Sequence, residues 1–184
     1  MNIQFRTNNL SDAKQALKNG CKWIRLNTAG IPDNDLRPLA EEMLKICRKN
    51  DATFIIDDSP ELAREIGADG VHFNNGASVA KTRRAIGEQY LIGATLSTSE
   101  EICRAKKESV DYIDIGPREK FNTEELRNLI IRLYEADVML PLSVYGNIVP
   151  DDIPTLSATG LRAITTSDLS FLKKDIWDII NRFS

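Results

Sequence analysis

The stretch Phe54–Phe73, FIIDDSPELAREIGADGVHF, holds a whole strand–helix–strand unit in twenty residues. An apolar run of Phe54, Ile55 and Ile56 ends in two adjacent carboxylates, Asp57 and Asp58. Ser59 stands as an N-cap with Pro60 at the first helical position, and Glu61 and Glu65 follow near the positive end of the helix dipole. Leu62, Ala63 and Ile66 form the stripe to be buried, and Gly67 stops the helix. Gly70-Val71-His72-Phe73 is the next strand. A crossover this short makes a parallel pair, and parallel sheets are covered by helices.

The rest of the chain repeats this unit. Asn2 to Arg6 reads as a first strand, with Ser11 capping a helix that stops at Asn19-Gly20. Trp23 to Leu26 is strand two, and a helix follows from about Asp35 to Arg48 with apolar residues at helical spacing. After the opening unit come a helix from Val79 to Ile86 and a strand from Leu91 to Thr95. The next helix is capped by Ser97 or Thr98. Tyr112 to Ile115, Pro141 to Tyr145 and Ala163 to Thr165 are the last three strands. Their helices lie at Thr123 to Ala136, Asp151 to Leu156 and Lys174 to Phe183. Eight such pairs, each of roughly 20 to 25 residues, close naturally into a (βα)8 barrel. An open doubly wound sheet is the alternative, but Thr7-Asn8-Asn9-Leu10 after strand one lacks the glycine-rich turn of that fold. The expectation is an α/β fold, a compact TIM barrel forming a single domain over residues 1–184.

Composition narrows the function classes. A net charge of −3 with scattered basic residues gives no electrostatic footprint for nucleic acid or a membrane surface. No run approaches the roughly 20 apolar residues of a spanning helix, and the N-terminus has no apolar signal region. Cys21, Cys47 and Cys103 are odd in number and match no zinc or redox spacing. A reducing cytoplasm with buried thiols is expected. Nothing requires or excludes a homo-oligomer.

In a barrel, a site lies at the C-terminal strand ends. Those ends carry Asn27-Thr28, Asp57-Asp58, Asn74-Asn75-Gly76, Thr95, Asp114 with Gly116-Pro117, Gly146-Asn147 and Thr166-Ser167-Asp168. Strand alternation places Ile24 and Leu26 toward the helices and turns Arg25 inward; Ile113 and Ile115 do the same for Asp114. Charges are therefore expected in the barrel mouth, either as a buried ion pair or in contact with a ligand.

Taken together, FIIDDSPELAREIGADGVHF, AKTRRAIG, LIGATLSTSEE, DYIDIGP, PLSVYGNIVPDD and TTSDLS resemble the thiamin phosphate synthase and thiazole tautomerase superfamily over nearly the whole chain. The resemblance implies a cytoplasmic enzyme that couples hydroxymethylpyrimidine pyrophosphate to a thiazole phosphate, with Mg²⁺ neutralising the leaving pyrophosphate. It assigns Asp58 to the metal. Asp57, His72, Asn75 and Thr95 fall at the substrate, to which strand alternation adds Arg25 and Asp114 as candidates, and Gly146, Asn147, Thr166 and Ser167 at a phosphate turn that binds through backbone N–H groups.

The chain also departs from the family pattern. After strand two the family reads Gln-x-Arg-x-Lys, where this chain has Arg25, Asn27 and Ala29. Ala77 replaces a second metal-binding Asp, Asn147 replaces a glycine, and Arg118 to Asn122 replaces a Thr-x-Thr-Lys loop. His72, the only histidine, is not in the loop after strand six that the tautomerase branch uses. Three readings follow. One is a transferase or tautomerase in which Arg25 or Lys120 supplies a missing cation. The others are a non-catalytic relative binding a phosphorylated ligand, and an interaction subunit that keeps only the barrel.

Overall fold

The computed structural model describes residues 1–74 and 79–183. Its eight parallel strands close in chain order, β1 pairing with β2 on one side and β8 on the other. They are β1 (Asn2–Thr7), β2 (Trp23–Leu26), β3 (Thr53–Asp57), β4 (Gly70–Phe73), β5 (Leu91–Leu96), β6 (Tyr112–Ile115), β7 (Leu142–Tyr145) and β8 (Ala163–Thr166). The helices between and after them are α1 (Leu10–Lys18), α2 (Asp33–Lys49), α3 (Pro60–Ile66), α4 (Val79–Ile86), α5 (Ser99–Lys107), α6 (Thr123–Glu135), α7 (Ile153–Ser157) and α8 (Lys174–Arg182). The (βα)8 expectation holds. Among the described residues, no helix is long and apolar enough to cross a membrane.

Local chemistry explains the boundaries. The expected Ser11 cap is displaced by two residues: Asn9 is the cap, its side-chain oxygen accepting from the N–H groups of Ser11 and Asp12 at 2.7 and 3.2 Å. Asn and Ser cap equally well, so position relative to the first buried residue decided it. Of the two candidates at α5, Thr98 is the cap. It exchanges hydrogen bonds with Glu101 in a capping box.

The apolar core lies between sheet and helices, where Ile24, Leu26, Phe54, Ile56, Val71, Ile92, Ile113 and Val144 meet the helix stripes. The barrel interior is different. Its inward positions carry Gln4, Arg25, Asp57, His72, Tyr112, Asp114, Ser143 and Thr165, all at most 5% exposed. Gly93 makes room for this set, because a Cβ there would lie 2.1 Å from the Tyr112 ring and 2.5 Å from His72 Nδ1. Cys21 and Cys47 are buried, with burial pushing their thiols up to about 11 and about 12; Cys103 is only half-buried.

Candidate active site at the barrel mouth

Arg25 is the centre of the interior network, 1% exposed. Its Nε donates to Asp57 Oδ1, its Nη1 to Asp114 Oδ2 at 2.7 Å and to Gln4 at 3.3 Å, and its Nη2 to Asn74 Oδ1 at 2.6 Å. Burial alone pulls the guanidinium pKa down. The carboxylates of Asp57 and Asp114 more than offset that and hold it above the ordinary arginine value. Asp57 is shared: Arg6, inward on β1, donates from Nε to its other oxygen at 2.8 Å. Asp114 also accepts from Thr165 at 3.0 Å and from the Ser143 hydroxyl. Two guanidinium and two carboxylate groups thus balance, which is what makes this much buried charge tolerable.

His72 extends the network toward β5 and β6. Its Nδ1 lies 2.9 Å from the Tyr112 hydroxyl and its Nε2 2.8 Å from Thr95 Oγ1, and both hydroxyls can donate or accept. Burial, then the nearby charges of Arg25 and Arg6, hold the imidazole pKa well below its usual 6.5. The ring is neutral. In the unfolded chain His72 takes up a proton below pH 6.5 and in the folded chain it does not, so stability falls as pH drops through that value. The expected slope is about 1.4 kcal/mol per pH unit. Urea unfolding between pH 7 and pH 5 should show this slope in the native chain and lose it in His72→Asn. As His72 is the only histidine, its ring resonances report directly, and an imidazole titrating near 6.5 would contradict the assignment.

Above this floor lie two adjoining cavities that share Pro117 and Tyr145. The larger, about 510 Å³, is lined by Arg6, Ala29, Asp58, Asn74, Thr95, Ser97, Glu101, Gly116 and Lys120 among others. Asp58 reaches it through a left-handed backbone (φ +49°), uncommon for a non-glycine residue but favoured by Asp and Asn. Both its oxygens accept from Asn74, one from the backbone at 3.1 Å and one from the side chain at 2.7 Å. Glu101 also faces this cavity, with one oxygen committed to the N–H groups of Ser97 and Thr98.

The smaller cavity, about 450 Å³, is lined by Glu119, Gly146, Asn147, Thr166, Ser167 and Asp168 besides the shared pair. Gly146 has φ +145°, and a Cβ there would lie 2.8 Å from the Arg118 nitrogen, so only glycine fits this turn. Thr166 Oγ1 accepts from the Asp168 N–H at 3.0 Å, which fixes the turn after β8.

The residues expected at the site therefore fall into two groups. Asp58, Thr95, Gly146, Asn147, Thr166 and Ser167 line the cavities. Arg25, Asp57, His72 and Asp114 lie buried beneath them, bonded to one another or to neighbours. Arg25 and Asp114 form an ion pair at 2.7 Å. Asn75 lies outside the described residues, as does Ala77. Sequence reasoning passed over Arg6, although the alternation that turns Phe5 outward turns Arg6 inward at the mouth. Arg6 also donates from Nη2 to Asn27 Oδ1 at 2.7 Å.

The thiamine monophosphate synthase family model matches residues 2–168. The chain belongs to that family. It is similar to a thiamine-phosphate synthase of Phocaeicola vulgatus, 34% identical over 175 residues that cover 89% of this chain and 84% of the relative. A thiamine-phosphate synthase of Bacteroides fragilis is 30% identical over 185 residues, covering 91% and 90%. Among solved structures, the thiamine phosphate pyrophosphorylase from Pyrococcus furiosus superposes with a TM-score of 0.86 over 99% of this chain and 96% of its own, at 20% identity. Within the thiamine monophosphate synthase family, then, this chain has the closed barrel with two adjoining cavities at its mouth.

Proposed function

We propose that the chain is a transferase that couples hydroxymethylpyrimidine pyrophosphate to a thiazole phosphate, releasing pyrophosphate. The observation that carries this reading is the pair of adjoining cavities. A reaction between two phosphorylated substrates needs two anion subsites with open space between them, and holding both partners in place removes much of the entropic barrier. The larger cavity takes the pyrophosphate. Arg6 and Lys120 supply the cations that Asn27 and Ala29 do not. The smaller cavity takes the thiazole phosphate on the turns after β7 and β8, through backbone N–H groups.

Asp58 is the residue that would hold Mg²⁺. Mg²⁺ keeps several waters and binds through one or two carboxylates plus substrate phosphates. Asp58, which lines the larger cavity, fits an ion that arrives on pyrophosphate. Among the described residues, no group of three or more His, Cys, Asp or Glu is placed to hold one unaided. When bound, the ion supplies charge neutralisation on the leaving group. Arg25, Asp57 and Asp114 act from below, fixing Asn74 and hence Asp58, while neutral His72 orients Thr95.

Isothermal titration with thiazole phosphate and with Mg²⁺–pyrophosphate, separately and together, tests the two-subsite reading. Each is expected to bind with the other present. Mutual exclusion would overturn it.

A further inference from the structure

The Glu119 side chain reaches from the 3-10 turn Arg118–Lys120 into the smaller cavity. Its Oε1 accepts the backbone N–H of Asn147 at 2.7 Å. Its Oε2 lies over Gly146, close enough that a Cβ there would be 2.7 Å away. The carboxylate thus lies across the Gly146–Asn147 turn, with one oxygen on the Asn147 N–H where an oxygen of a bound oxyanion would sit. None of the described residues that line this cavity is basic, so an entering anion meets neutral N–H donors together with the charges of Glu119 and Asp168. Asp168 is turned aside, its Oδ1 accepting from the Ser170 N–H at 2.8 Å. Glu119 is not.

We propose that Glu119 is a built-in competitor for the anion subsite and sets its selectivity. The inference rests on the reading of Gly146–Asn147 as a phosphate subsite. A carboxylate on the same chain, held beside the Gly146–Asn147 turn, is present at high effective concentration, whereas a free ligand must displace it. The charge-assisted bond to Asn147 is lost on displacement, and like charges repel while both anions are near. A phosphate dianion forms stronger bonds to the vacated donors than a monoanionic carboxylate does. The subsite therefore admits phosphate esters and turns away free carboxylates. Apparent affinity is lowered by the fraction of molecules in which Glu119 is seated.

The test is titration of the full chain with inorganic phosphate, comparing the native protein with Glu119→Gln and Glu119→Ala and following the Asn147 amide resonance. Glu119→Ala is expected to bind phosphate about tenfold more tightly. Glu119→Gln, which keeps an acceptor but loses the charge, should fall between. A gain in affinity cannot arise from misfolding. Equal affinities in all three, with the Asn147 amide shifting on binding, would overturn the role of Glu119 and leave the subsite standing. If phosphate moves the Asn147 amide in none of the three, the subsite reading fails and this inference with it.

Discussion

Replacing Arg25 by methionine is expected to destabilise the fold by about 3–5 kcal/mol, the cost of leaving a buried carboxylate without its partner. Methionine fills similar space, so the loss measures charge rather than a cavity. Asp57 keeps Arg6, whereas among the described residues Asp114 keeps the hydroxyls of Ser143 and Thr165 and the neutral His72 ring, whose Nε2 lies 3.9 Å away. Most of the loss should therefore come through Asp114, and adding Asp114→Asn should recover part of it. For a chain of this length the single substitution corresponds to a fall in Tm of roughly 6–20 °C. A double-mutant cycle with near-additive effects would contradict the network, since residues in direct contact couple.

The second large effect is expected at Asp58. Changing it to asparagine should weaken binding of Mg²⁺–pyrophosphate by at least the roughly 10–100-fold that follows loss of an outer-shell metal partner. Metal-free pyrophosphate should bind the variant no worse than the native chain, because a negative charge has left the cavity wall. The opposite signs separate a metal-holding role from a general loss of shape. Calorimetric titration with and without Mg²⁺ reads both, and an equal weakening in the two conditions would contradict the assignment.

The fold was legible because many strand–helix pairs carry their own punctuation: alternation in strands such as β2 and β6, a glycine or asparagine after α1 to α4, and side-chain caps before α1, α5 and α6. Where several polar residues stand in a row, as at Asn8-Asn9-Leu10-Ser11, local chemistry alone did not choose the cap. The inward turn of Arg25 and Asp114 followed from strand alternation. Their pairing was one of the two options alternation offered, but the further bonds of Arg25 to Gln4 and Asn74 were not legible, because those partners lie on other elements. Arg6 shows the limit most clearly. Its guanidinium meets Asn27 across 21 residues of chain, a contact between β1 and the loop after β2 that motifs read in order do not display. Glu119 is a similar case, since its meeting with Asn147 depends on how the loops after β6 and β7 pack.

Product formation separates a transferase from a barrel that only binds. The purified chain, given hydroxymethylpyrimidine pyrophosphate, thiazole phosphate and Mg²⁺, is expected to release thiamin phosphate and pyrophosphate in equal amounts and to stop when Mg²⁺ is chelated. A chain that binds both ligands yet forms no thiamin phosphate would contradict the transferase reading and leave a barrel that binds phosphorylated ligands without turning them over.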